Sequence, residues 1–189
     1  MSSVGRSPGG TIVLPNATAR IANAGALSVG TVTVYAGGEL QVAGIATLAN
    51  PLHLAGRGVS GTGVGALEWD GANVTLTQPL TLDASAGIAD PSGDGHSLTL
   101  AAGVTGTGAL STTGTVVLPR GQSATNTLGL AALGGTLQVD GSASNQMTAN
   151  AATVDGSGSA SGIAMGCNST LSPGDAGPGV LTTTSGLSL

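Results

Sequence analysis

The segment Thr31-Val32-Thr33-Val34-Tyr35-Ala36-Gly37-Gly38-Glu39-Leu40-Gln41-Val42 sets the reading of the whole chain. Two runs alternate apolar and polar residues, and two glycines separate them. Period two is the pattern of a strand with one buried face, and Gly supplies the positive φ of a tight corner. The same unit recurs in both directions. Before it stand Thr11-Ile12-Val13-Leu14 and Ala26-Leu27-Ser28-Val29. After it come Leu52-His53-Leu54, Ala66-Leu67-Glu68-Trp69, Val74-Thr75-Leu76-Thr77, Leu80-Thr81-Leu82 and Leu98-Thr99-Leu100. The series ends with Thr115-Val116-Val117-Leu118, Leu128-Gly129-Leu130, Thr136-Leu137-Gln138-Val139, Ala152-Thr153-Val154 and Val180-Leu181-Thr182-Thr183. Nearly every run is bounded by Gly, Pro, Asn or Asp, the residues of turns. No helix is expected, since each interior Gly costs about 1 kcal/mol relative to Ala.

Composition agrees with a narrow core. Gly, Ala, Thr and Ser supply about 56% of the 189 residues, and aromatics only 1%. A sandwich fills the space between its sheets with longer strands and some aromatics. A solenoid stacks short strands and fills its bore with small and β-branched residues. Leu, Val and Ile make up about 22% of the chain, and mean hydropathy is +0.35 with little charge, so the chain collapses rather than staying disordered. The expected fold is an all-β parallel β-helix of eight or nine coils, about 22 residues each. Residues 1–10 are expected to form a flexible segment ahead of a single β-helix over 11–189. The element Gly58-Val59-Ser60-Gly61-Thr62-Gly63 recurs as Gly103-Val104-Thr105-Gly106-Thr107-Gly108, offset by 45 residues. At 22 residues per coil, that offset is expected to equal two coils.

Four Arg, no Lys and a net charge of −5 leave no basic footprint for phosphates, so nucleic acid is not an expected partner. Met1-Ser2-Ser3-Val4-Gly5-Arg6-Ser7 has no apolar core of a signal peptide. No stretch is long and apolar enough for a membrane helix, and two aromatics do not make the girdles of a membrane barrel. Direct membrane insertion is not expected. Cys167 is the only cysteine, which rules out an internal disulfide.

Few motifs carry chemistry. Gly56-Arg57-Gly58-Val59-Ser60-Gly61 fits a dinucleotide fingerprint, but more Gly and a strand follow where a helix is required. Gly5-Arg6-Ser7-Pro8-Gly9 fits a nucleophile elbow without the flanking strand and helix. Asp90-Pro91-Ser92-Gly93-Asp94-Gly95-His96-Ser97 collects Asp, His and Ser, and reads as an exposed loop between Leu82 and Leu98. No catalytic, cofactor-binding or metal-binding residue is expected. Thr-x-Thr pairs stand at Thr31/Thr33, Thr75/Thr77, Thr105/Thr107, Thr113/Thr115, Thr125/Thr127 and Thr182/Thr184. A flat threonine array would suit ice, but it needs even spacing, and the intervals between these pairs are uneven.

The last third carries a resemblance. Gly134-Gly135-Thr136-Leu137-Gln138-Val139-Asp140-Gly141 leads to Ala152-Thr153-Val154-Asp155-Gly156-Ser157-Gly158. Then come Thr170-Leu171-Ser172-Pro173-Gly174-Asp175-Ala176-Gly177-Pro178-Gly179-Val180-Leu181. Over about residues 134–189 this resembles the passenger-associated repeat of autotransporters. The motif rests on Gly134, Gly135, Thr136, Leu137, Leu171, Ser172, Pro173, Gly174, Pro178 and Gly179. The resemblance implies a right-handed parallel β-helix, exported through an outer-membrane barrel and displayed at the cell surface. It also implies a structural role rather than an enzymatic one. The translocator barrel of such proteins is absent, and Ser185-Gly186-Leu187-Ser188-Leu189 ends in mid-coil, as in a fragment or a filament subunit.

Three functions follow as expectations. The first is a non-enzymatic stalk for display, adhesion or self-association, with a surface receptor or matrix as its partner. The second is a filament subunit that stacks end to end through its solenoid ends. The third is a carbohydrate-active enzyme, for which Glu68, Asp70 and Asp83 would have to share a groove.

Overall fold

The computed structural model describes residues 4–7, 9–27, 29–59, 65–174 and 177–189. It is a parallel β-solenoid. The chain winds through three strand positions per coil, and each strand pairs with its equivalent in the next coil. The first face runs from Gly10–Val13 through Thr31–Val34, Leu52–Gly56 and the start of Leu80–Ala89 to Thr182–Thr183. The second runs from Thr18–Ile21 through Glu39–Ala43 and Leu67–Asp70 to Leu187–Ser188. These two faces form one 16-stranded sheet. The third face is a separate seven-stranded sheet, from Thr47–Leu48 to Thr170–Pro173.

Alternation along each short strand turns one residue set inward. On the first face the inward column is Thr11, Val32, Leu52, Leu80, Val104, Ala124, Ala143, Ala160 and Thr183, each beside the next. Nine stacked positions make about eight turns, a rod about 40 Å long at about 4.8 Å per rung. On the third face Val74, Leu98, Val116, Leu137, Val154 and Leu171 stack in the same way. All but the last are buried.

Coil length follows the size of what the bore holds. Leu52 and Leu80 stand 28 residues apart, and this coil encloses Leu67, Trp69 and Leu76, all at most 1% exposed. Ala143 and Ala160 stand 17 apart, around Ala149, Ala152 and Val154. Small core side chains let the perimeter shrink, because a wider coil would leave voids.

Several expectations from sequence change here. The 45-residue repeat is not a structural repeat: the strand before its first copy, Leu52–Gly56, lies on the first face, and the strand before its second, Ser97–Leu100, on the third. Position 104 is the two-coil equivalent of Leu52, and coils of unequal length bring the similar strings to different faces. Residues 60–63 of the first copy lie outside the described residues. Ala26-Leu27-Ser28-Val29 was expected as a strand, yet Ala24–Ala26 is a 3₁₀ turn capped by the Asn23 side chain, which accepts from the Gly25 amide at 2.8 Å. Ser28 itself is outside the described residues. Within the expected flexible segment, Val4–Ser7 is a strand antiparallel to Gly10–Val13, lying along the edge of the first coil. The strand at Leu128-Gly129-Leu130 begins instead at Leu130, where Gly129 turns the corner with φ +83°.

Sequence reasoning also missed strands, among them Thr18–Ile21, Leu110–Thr113, Ser142–Ala149 and Ser159–Met165. They are rich in Ala, Ser and Thr, so their apolar alternation is weak. One of them places Thr112 inward between Ile88 and Ala132, 1% exposed, with its hydroxyl lacking a hydrogen-bond partner. A buried orphan hydroxyl costs stability that an isosteric methyl does not. Thr112→Val is expected to stabilise the fold by about 1 kcal/mol, seen as a higher urea midpoint with an unchanged slope.

Candidate functional site

Three groups of polar side chains stand out. The first joins the second face to the third. The strand Leu80–Ala89 ends at Asp90, and residues 90–96 fold back over the edge of Trp69. The buried indole donates from Nε1 to the His96 carbonyl at 3.1 Å. Asp90 is itself buried, and its Oδ1 accepts from the Ser92 amide at 3.0 Å, the Ser92 hydroxyl at 2.6 Å and the Gly93 amide at 3.0 Å. The sequence placed Asp90 in an exposed loop; it is the anchor of that loop. Asp94 accepts from the His96 amide at 3.2 Å, and the His96 ring lies 3.5 Å from its other oxygen. Partial desolvation acts to raise the Asp94 pKa, but the His96 amide, the Ser92 hydroxyl and the His96 ring outweigh it and hold the carboxyl below its ordinary value. Ser92 is bonded to Asp90 rather than to His96, so these residues form nested turns and not a nucleophile–base pair.

The second group is buried on the outer side of the second face. Glu39 and Glu68 are 1% and 3% exposed. Gln41 stands between them and donates from Nε2 to Glu39 at 2.6 Å and to Glu68 at 3.3 Å. The amide of Val59 lies 3.4 Å from the second Glu39 oxygen. The stretch that mimics a dinucleotide fingerprint therefore presents an amide to a carboxylate of its own chain. Of the residues a carbohydrate enzyme would need, Glu68 is buried here, beside Ala89 in the register. Asp70 is exposed at the strand end. Asp83 stands six residues before Ala89, up to about 20 Å along the strand, and pairs with His53 at 2.9 Å. No local pattern marks the Gln41 bridge between Glu39 and Glu68 or the His53–Asp83 pair, because the register across unequal coils decides them.

The third group surrounds the repeat-like motif of the last third. Thr136 points outward and Leu137 is buried in the core, while Leu171 packs partly buried against it. Gly134 and Gly135 turn the corner before them. Gly135 has φ +71°, and a Cβ there would collide with the Gly114 backbone of the coil below. Thr170–Pro173 forms a strand, with Ser172 and Pro173 exposed. After it the chain folds sharply, so that Gly179 packs against the Gly174 backbone. Asp175 and Ala176 lie outside the described residues. Gly174, Pro178 and Gly179 thus line an open groove of about 440 Å³ with Arg120, Asp140 and Ser157. The structure places the two halves of the motif two rungs apart on one face, with Ala152–Gly156 between them.

Asp140 organises that groove. Its Oδ1 accepts from the Ser157 amide at 2.9 Å and the Ser157 hydroxyl at 3.0 Å, and its Oδ2 from Gln138 at 2.7 Å. Desolvation acts to raise its pKa, but these bonds and the nearby Arg120 charge outweigh it and leave the carboxyl below its ordinary 3.8. Among the described residues, no three His, Cys, Asp or Glu side chains group to hold a metal ion. Cys167 is exposed and forms no disulfide among the described residues.

No protein-family model matches the chain, and no curated protein or solved structure matches it.

A depressed folded-state pKa makes the Asp140 contribution complete above pH 3.8 and lost as pH falls through the folded value. Urea unfolding is therefore expected to show stability falling as pH drops below about 4. Asp140→Asn is expected to be less stable than the parent near neutrality, with the difference narrowing in acid. A difference that stays constant with pH contradicts this role.

Proposed function

We propose that this chain is a non-enzymatic structural segment of an exported, autotransporter-like cell-surface protein, a β-helical stalk for display, adhesion or self-association. The observation that carries the proposal is the unbroken stack of inward residues from Thr11 to Thr183, about eight turns of one rod. Such a rod holds its ends apart without needing a wide core. The acidic residues support the same reading, since Asp90, Glu39, Glu68 and Asp140 are each engaged in holding coils or corners together. The resemblance of the strings around Gly135 and Gly174 to a passenger repeat supports the same reading, with a surface receptor or matrix as the proposed partner. The test joins the chain to a secretory leader and an outer-membrane translocator barrel. Cell-surface exposure of a protease-resistant passenger is expected, and Leu137→Asp is expected to abolish it. A passenger that stays inside the cell envelope, or reaches the surface equally well with Leu137→Asp, contradicts the proposal.

A second reading is end-to-end assembly. Leu187 continues the column of Leu110, Leu130, Met147 and Ile163, yet is 46% exposed, and Leu187–Ser188 pairs on one side only among the described residues. An open strand edge with an apolar column templates further pairing. Sedimentation is expected to show concentration-dependent association that Leu187→Asp weakens. A monomer at high concentration contradicts this reading.

A further inference from the structure

We infer that the third face is an ice-binding surface. The Thr-x-Thr pairs visible in the sequence do not build it; the register does. Along the outward side of this sheet Ser97 pairs with Thr115, Thr115 with Thr136, Thr136 with Thr153, and Thr153 with Thr170. Five successive rungs place a hydroxyl in one column. Two residues further along each strand runs a second column, with Thr47, Thr75 and Thr99 paired in order. It continues through Val117, Gln138 and Asp155 to Ser172.

The columns are about 6.6 Å apart and their rungs about 4.8 Å apart, set by the backbone rather than by side-chain choice. Of the two, the rung repeat is the one that lies near the shorter spacing of oxygen rows on the prism planes of ice. The array is also stiff. Threonine is β-branched with restricted χ1, and each of these residues sits between inward neighbours such as Leu98, Val116, Leu137 and Val154 that fix the strand. Fixed hydroxyl and methyl rows lower the entropy cost of ordering a water layer, as preorganisation does for any ligand.

Two further observations single out this face. The register shifts in the solenoid, between Leu82 and Ala86 and between Ala143 and Gln146, both fall in the other sheet; the third face has an unshifted register from rung to rung. Charge is also sparse on it, with Asp140 and Arg120 at its rim. Its outward columns carry one charged residue, Asp155, whereas the first face carries the His53–Asp83 pair and the second carries Arg20, Glu39 and Glu68. Ionised groups hold water in their own geometry and would break a lattice match.

The experiment grows single ice crystals in the purified chain and records crystal shape and the gap between melting and growth temperatures. Faceted crystals and a measurable gap are expected. Thr136→Tyr, in the middle of the array, is expected to lose both, with Thr153→Lys taking its place if the first variant does not fold. Thr105→Tyr, outward on the first face, is expected to retain both, with Trp69 emission and circular dichroism confirming the fold in each case. Round crystals from the folded parent overturn the inference, as does equal loss in Thr105→Tyr. Self-association that Thr136→Tyr disperses, with no effect on ice, overturns it in favour of a lateral interface.

Discussion

The structure depends on one constraint: every strand must lie in register with its equivalent one coil away, so that backbone amides and carbonyls pair along the rod. Once the register is set, side chains stack in columns, and each column must be filled by residues that tolerate a neighbour about 4.8 Å above and below. Inward, this selects Leu, Val, Ile and Ala, packed without gaps. Outward, it selects Thr and Ser, which solvate the sheet without like charges meeting rung on rung. At the corners it selects Gly, most sharply at Gly135, where the Gly114 backbone leaves no room for a Cβ. The dominance of small residues and the near absence of charge are consequences of columnar packing.

The polar residues serve the same constraint. In a wide globular protein a buried Glu39–Gln41–Glu68 group or an Asp90 with three donors would invite a catalytic reading. Here they close the places where the chain leaves the regular path. Asp90 anchors the residues that cover Trp69, the largest side chain in the bore, and Asp140 ties the corner at Ser157 to the coil before it. Asn126 does likewise, donating to the carbonyls of Gly108 and Gly129 at 3.1 and 2.6 Å, while the Asn145 side chain donates to its carbonyl at 2.6 Å. Where these bonds join one coil to the next they span from 17 residues at Asp140–Ser157 to 27 at Gln41–Glu68.

The fold class was legible because period two and Gly punctuation are local signals. Thr31–Val34, Glu39–Ala43 and Thr115–Leu118 stand within a residue of where alternation placed them. Ser142–Ala149 and Ser159–Met165 were not legible, because Ala, Ser and Gly give almost no hydrophobic amplitude. Register was the deeper gap. Coils of 28 and 17 residues obey no fixed period, so the 45-residue repeat pointed to stacking where there is none. For the same reason, uneven intervals between Thr-x-Thr pairs hid a column that uses one hydroxyl residue per rung, from Ser97 to Thr170. The motif halves at Gly135 and Gly174 were visible as strings, but the placing of Gly174, Pro178 and Gly179 around Asp140 and Arg120 needs the fold.

Register is therefore the claim to test most directly, at the coil that departs furthest from a uniform repeat. In a Cys167→Ser background, paired cysteines at His53 and Thr81 place their Cα atoms on adjacent rungs. That spacing falls within the range a disulfide bridges. The account predicts rapid oxidation of the His53→Cys/Thr81→Cys chain to an internal disulfide. A uniform 22-residue coil instead places Thr75 next to His53. Efficient bridging in His53→Cys/Thr75→Cys, with none in His53→Cys/Thr81→Cys, would contradict the register and the columns built on it.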